Sequence, residues 1–167
     1  MGKRTALLGM LLAFALILGY VESLLPLPFG VPGMKLGLPN LAILLVLYLF
    51  GPKEALAVNI ARVFLAGFLF GSLFSLIYSL AGALCSFAAM LLCRKIPAFS
   101  MTGVSCVGGT VHNMAQLAVA ACVTATSQVL YYLPPLLLCG CLTGCILGLI
   151  GKTVLAHLPA GFRGNAA

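Results

Sequence analysis

The stretch Leu36–Phe50 reads LGLPNLAILLVLYLF and contains no charged residue. It is one of several apolar runs in a chain of 167 residues, of which 63% are hydrophobic and only 7% are charged. Because a soluble domain carries about 25% charged residues, this chain cannot present a water-compatible surface on all sides. We therefore predict an all-α integral membrane protein with one domain over residues 1–167.

The apolar runs set the number of membrane-spanning helices. A helix needs about 20 apolar residues to cross ~30 Å of hydrocarbon. Charges, glycines and prolines divide the chain into six predicted transmembrane helices at about residues 5–21, 36–50, 54–70, 72–93, 103–126 and 130–156. The second covers only ~22 Å at the helical rise of about 1.5 Å per residue. Either residues 25–34 dip into the membrane, or this helix is broken near Pro39.

The positive charges predict the orientation. If six helices alternate, seven of the nine Lys and Arg residues fall on one side of the membrane, namely Lys3, Arg4, Lys53, Arg94, Lys95, Lys152 and Arg163. Lys35 falls on the other side, and Arg62 lies within a helix. Since basic loops stay in the cytoplasm, we expect both termini to be cytoplasmic. The net charge of +7 then reflects these loops, and no nucleic-acid partner is expected.

The composition also excludes several kinds of chemistry. There are two Glu residues and no Asp, so paired carboxylates and Asp-rich Mg²⁺ sites lack their ligands. No G-x-x-x-x-G-K-[ST] nucleotide motif is present. Cys141 and Cys145 are four residues apart, but no His or carboxylate is close to them in the sequence, so no metal site is expected. We predict a protein that is not an enzyme and carries no cofactor.

Arg62 is the first candidate binding residue, since ionisable groups inside a membrane are costly and mark functional sites. It lies eight residues after Glu54, or about 12 Å into its helix. Asn59 lies on the same helix face, and no carboxylate is expected at that depth. Arg62 therefore either contacts a ligand in a cavity or extends to the inner interface.

A second polar cluster lies in the fifth predicted helix, where His112, Asn113 and Gln116 are near mid-membrane. Buried amides and imidazoles need hydrogen-bond partners, and these residues serve either a binding site or contacts between helices. On the outer side, Lys35 either pairs with Glu22 or, with Asn40, holds an anionic head group over a cavity. A ligand with a carboxylate, a phosphate or a polar ring would suit these residues.

Small residues at helical spacing predict close helix contacts. Gly140, Gly144 and Gly148 favour packing inside the bundle. In the first helix the pattern either packs against other helices or forms a docking face for another membrane protein. The residues concerned are Gly9, Ala13, Ala15 and Gly19.

The pattern resembles a known family. The motif Pro32-Gly-Met-Lys-Leu-Gly-Leu-Pro-Asn40, then Arg62, the motif His112-Asn-Met-Ala-Gln116 and Tyr132-Leu-Pro134 are similar to a set of small bacterial membrane proteins. These are described either as component I of heptaprenyl diphosphate synthase or as the Gx transporter family. Pro39 stands where that pattern has a small residue. The likeness covers about residues 5–157 and implies a location in the bacterial cytoplasmic membrane.

The resemblance implies two different roles. This family is distantly similar to the S components of energy-coupling factor transporters, six-helix proteins that bind a micronutrient and dock on a membrane coupling subunit driven by ATPases. That likeness implies an S-component-like bundle that takes up a small molecule. The synthase description instead implies a non-catalytic membrane partner of a soluble prenyl synthase subunit, because a chain without Asp cannot bind diphosphate through Mg²⁺.

Overall fold

A computed structural model describes residues 2–24 and 37–158. Regular structure in these two ranges is entirely helical. The helices are α1 (Gly2–Leu24), α2 (Asn40–Leu49), α3 (Pro52–Phe70), α4 (Leu73–Arg94), α5 (Met101–Thr124) and α6 (Leu133–His157), with a 3₁₀ helix at Ser127–Tyr132 before α6. The predicted all-α fold with six helices is confirmed. Residues 25–36, which include Lys35, lie outside the described residues.

The helices differ in their ability to cross a membrane. Among the described residues, four helical segments are long and apolar enough to cross a membrane: α1, α4, α5 and the continuous stretch Ser127–His157. Helix α3 has 19 residues, about 28 Å at the usual rise, and carries Lys53, Glu54 and Arg62. Helix α2 has only ten residues, about 15 Å, and does not cross the bilayer by itself.

The start of α2 corrects the prediction of a helix over residues 36–50. The chain turns at Gly37, whose φ of 79° favours glycine, and the helix begins only at Asn40. Pro39 precedes it with a φ of −59°. Proline favours this position because it lacks the N–H that a helix start would leave unpaired. The predicted start near residue 36 is therefore wrong, since the helix begins directly after Pro39. The alternative in which residues 25–34 dip into the membrane falls outside the described residues.

Helix α2 is the centre of the bundle. Eight of its ten residues are buried, and Ile43, Val46 and Leu47 are completely inaccessible. It packs against α1, α3 and α6, while Phe87 and Met90 of α4 join the same apolar core. A helix that is apolar on every face is buried on every face, which explains why this short segment carries no polar stripe.

The closest helix contact is between α5 and α6 and depends on glycine. A Cβ atom added at Gly140 would lie 2.7 Å from the carbonyl oxygen of Gly109, and one at Gly148 would lie 2.7 Å from the Cα of Thr102. At Gly144 the added atom would meet the carbonyl of Ser105 at 2.5 Å. The glycine stripe thus lets two backbones touch, as predicted from its spacing.

Basic residues gather at one end of the bundle, which we call the basic end. Arg4 forms a salt bridge with Glu54. Arg94 donates a hydrogen bond of 2.8 Å to the carbonyl oxygen of Leu47, and its guanidinium lies 4.9 Å from the ring centroid of Tyr48. The last carbonyls of a helix have no partner within it, so Arg94 stabilises the C-terminal end of α2.

The glycine contact predicts the effect of a single methyl group. Replacing Gly144 by Ala forces α5 and α6 apart, because the new Cβ would clash with backbone rather than with a flexible side chain. We expect a loss of about 1–3 kcal/mol, seen as a lower melting temperature in detergent. Gly9→Ala is the matched control, since nothing lies within 4 Å of that position. Equal melting temperatures for both variants would contradict the packing described.

Candidate functional site

A cavity of about 140 Å³ with several polar and charged side chains in its wall lies at the end of the bundle opposite the basic end. Four helices meet there: the C-terminal ends of α1 and α3, the first turns of α4, and the middle of α5. We call it the Arg62 cavity. Its lining comprises Gly19, Glu22, Ser23, Gly37, Pro39, Arg62, Val63, Ala66, Gly67, Phe70, Gly71, Ser75, Ser79 and His112.

Arg62 is the central charge of this cavity and is 8% exposed. Its Nε donates to Oδ1 of Asn59 at 3.0 Å, and its Nη2 donates to Oδ1 of Asn40 at 3.2 Å. Asn40 begins α2 at the end opposite Arg94, so the guanidinium is directed toward the cavity and away from the basic end. The alternative in which Arg62 extends to the inner interface is wrong.

The two amides hold Arg62 in place. Asn59 lies one turn before it on α3 and also donates from Nδ2 to the carbonyl oxygen of Ala83 on α4, at 3.1 Å. Asn40 contributes its oxygen from α2. Both acceptors are neutral, and a guanidinium has five N–H donors. Hydrogen bonds to side chains of the described residues therefore use two of the five N–H donors of Arg62. Because both amides are neutral, they do not compensate the positive charge of Arg62.

Glu22 is the unexpected member of the site. Pairing with Lys35 was one of two alternatives, and no carboxylate was expected near Arg62. Glu22 is buried, at 5% exposure, and lines the same cavity as Arg62. One of its carboxylate oxygens accepts a hydrogen bond from the backbone N–H of Gly37 at 2.5 Å. The predicted pair with Lys35 falls outside the described residues.

The predicted cluster on α5 is divided between two places. His112 lines the cavity, and Gln116 lies behind it: a Cβ added at Gly82 would meet both side chains at 2.9 Å. Nε2 of Gln116 is buried without a hydrogen-bond partner among the described residues. Asn113 points elsewhere and donates to the carbonyl of Leu136 on α6 at 3.0 Å. This hydrogen bond ties α5 to α6, and the binding role of Asn113 stays a prediction.

The predicted docking face on α1 is also divided. Ala15 is buried in the bundle, at 1% exposure, and Gly19 lines the cavity. Ala15 therefore does not belong to an external surface, whereas Gly19 is partly exposed. Gly9 and Ala13 are exposed and keep their predicted role.

Hydroxyl groups complete the polar wall and were missed in the sequence. Ser75 and Ser79 are four residues apart on α4, so they lie on one helix face, and both line the cavity with Ser23 of α1. Their spacing of four residues could have indicated a shared polar face. Serine is frequent in membrane helices, however, so it indicates a binding site less clearly than arginine or histidine does. Together with Arg62, Glu22 and His112 they provide both donors and acceptors to a small polar molecule.

A second, apolar depression lies between α1 and α6, and its floor is formed by Leu41, Leu45 and Leu49 of α2. We call it the α1–α6 groove. It measures about 310 Å³. Its walls are Leu7, Met10, Leu11, Phe14, Leu41, Leu45, Leu49, Phe50, Ile150, Val154 and Leu158. Every one of these side chains is hydrophobic, so the groove suits a hydrocarbon chain and not a polar molecule.

These features define a multi-pass helical membrane protein with a buried, charged cavity. The sequence model of the family described as heptaprenyl diphosphate synthase component I matches residues 11–154. The chain belongs to that family. Comparisons with curated proteins and with solved structures give no match.

Proposed function

We propose that this protein is a membrane-embedded binding protein for transport, which holds a small molecule with an anionic or polar head group in the Arg62 cavity. The observation that carries the proposal is the buried guanidinium, which lines a cavity and is held by neutral amides. Placing such a charge inside a membrane is costly. Binding a hydrogen-bond acceptor is a physical reason for a protein to keep the charge there. A bidentate hydrogen bond from arginine suits a carboxylate or a phosphate.

The rest of the cavity supports a small, polar ligand. Glu22 offers a hydrogen-bond acceptor close to the positive charge. His112 offers a ring nitrogen that donates or accepts a hydrogen bond, depending on its tautomer. The hydroxyls of Ser75 and Ser79 add hydrogen-bonding groups on a third side. A volume of about 140 Å³ admits a head group of a few heavy atoms, with any longer portion extending toward the open end.

The orientation and the partners of the protein are part of this proposal. The positive-inside rule places the basic end, with Arg4 and Arg94, in the cytoplasm of a bacterial cell, so the Arg62 cavity opens outward. Since no nucleotide motif is present in the sequence, energy for uptake comes from a membrane coupling subunit with ATPases, as in S components. The exposed small residues Gly9 and Ala13 on α1 offer such a subunit a close approach.

Recovery of the bound molecule tests the cavity directly. We purify the full chain in mild detergent and identify released small molecules by mass spectrometry, comparing the wild type with Arg62→Gln. The wild type should retain a polar or anionic compound, and Arg62→Gln should lose it by about 10-fold or more, since a hydrogen bond to a charged group contributes about 1.5–3 kcal/mol.

The matched control is Lys53→Gln, which removes one positive charge from the exposed start of the same helix. It should retain the compound at the wild-type level. If Arg62→Gln retains it equally, or if both variants lose it, Arg62 is not the binding group and the proposal fails.

A second role is favoured by the α1–α6 groove together with the name of the family. A non-catalytic component of a heptaprenyl diphosphate synthase would hold the growing or finished polyprenyl chain at the membrane. A groove with eleven apolar residues that includes Met10 and Phe14 at its outer edge suits this task. In this role the partner is a soluble prenyl synthase subunit that supplies the Mg²⁺-binding carboxylates.

Photo-crosslinking distinguishes the two roles. A photoactivatable prenyl diphosphate should label α1 and α6 if the groove holds prenyl chains, and Met10→Trp should reduce labelling by filling the groove. Leu142→Trp on the exposed surface of α6 is the control and should leave labelling unchanged. Equal labelling of both variants would show that the groove simply contacts lipid.

A further inference from the structure

Three cysteines come together between α5 and α6, at a place that takes no part in the Arg62 cavity. Sγ of Cys106 lies 3.2 Å from Sγ of Cys141. With Cys145 they form a group in which all three sulfur atoms lie within 4.8 Å of one another. The three side chains are half-buried, and no disulfide links them.

The packing of the two helices explains how the thiols meet. Cys141 and Cys145 are one turn apart and share a face of α6. Gly144 lies between them in sequence, and a Cβ added there would be 2.7 Å from the Cα of Cys106. The same glycine contact that brings the backbones together therefore sets Cys106 against the two thiols of α6. The sequence spacing placed Cys141 and Cys145 on one helix face but gave no indication that Cys106 lies beside them.

The distances suit a single metal ion. A bond of about 2.3 Å between a metal and a thiolate sulfur places three sulfurs in a trigonal arrangement about 4.0 Å apart. The three sulfurs are already within 4.8 Å of one another, so rotamer adjustments of less than about 1 Å would complete the arrangement. Soft thiolate ligands select soft ions such as Cu(I).

We propose that Cys106, Cys141 and Cys145 form a three-coordinate site for a soft monovalent cation, Cu(I), in the contact between α5 and α6. Zn²⁺ takes four ligands in structural sites, and no fourth His, Cys, Asp or Glu joins this cluster among the described residues. Binding forms Cu–S bonds and breaks S–H bonds. The released protons go to the solvent, and the oxidation state of copper and of sulfur does not change.

Competition with a chromophoric Cu(I) chelator tests the site. The full chain is purified in detergent, reduced and kept under anaerobic conditions. It should withhold one Cu(I) per chain from the chelator. Cys106→Ser, Cys141→Ser and Cys145→Ser should each weaken binding by about 10-fold or more, the size of effect seen when a group that supports a metal site is removed. The controls Cys85→Ser and Cys122→Ser alter exposed thiols elsewhere and should bind as the wild type does.

X-ray absorption on the copper-loaded wild type is a second measurement that does not depend on how the variants fold. A first shell of three sulfurs supports the site, whereas two sulfurs or a shell with nitrogen or oxygen overturns it. Copper binding that falls equally with any of the five substitutions also overturns it. So does a Cys106–Cys141 disulfide in protein isolated from membranes with its thiols blocked, since that bond would remove two ligands.

Discussion

The rest of the bundle is organised around helix α2, because eight of its ten residues are buried in protein. The helix does not reach across a bilayer, so its N-terminal end needs a partner at membrane depth, and its last carbonyls need partners as well. Two arginines provide them from other helices. Arg94 binds the carbonyl of Leu47 at one end, and Arg62 binds the side chain of Asn40 at the other. The apolar middle of α2 then organises the core between these two contacts.

This arrangement connects packing with the site. Arg62 reaches Asn40 only because α2 stops short and begins at that residue, after the turn at Gly37 and Pro39. Gly37 and Pro39, which precede α2, line the Arg62 cavity, and Glu22 and His112 line it from α1 and α5.

Much of the fold follows from the sequence. The order of the six helices follows from hydropathy. The position of Asn59 and Arg62 on one face of α3 follows from their spacing of three residues. These are properties of single helices. The start of α2 at Asn40 was not predicted, because the sequence left open whether residues 25–34 dip into the membrane or the helix is broken near Pro39.

The contacts between helices were not predictable in the same way. His112 and Asn113 are neighbours in sequence, yet they are turned by about 100° around the axis of the helix, so one faces the cavity and the other faces α6. Glu22 lines the same cavity as Arg62 because α1 packs against α3, and this packing was not visible in the sequence. Cys106 of α5 likewise meets Cys141 and Cys145 of α6 through helix packing. Gly140, Gly144 and Gly148 allow the close contact between these two helices.

The central claim is that the guanidinium of Arg62 lies in an outward-opening cavity and contacts the bound molecule. An electron cryomicroscopy structure of the full chain in lipid nanodiscs, prepared without ligand exchange, tests this most directly. Our account predicts non-protein density in contact with the Arg62 guanidinium, between Glu22 and His112, while Asn40 and Asn59 hold the arginine from behind. A guanidinium that extends to the basic end, or a cavity filled by protein side chains, would contradict it.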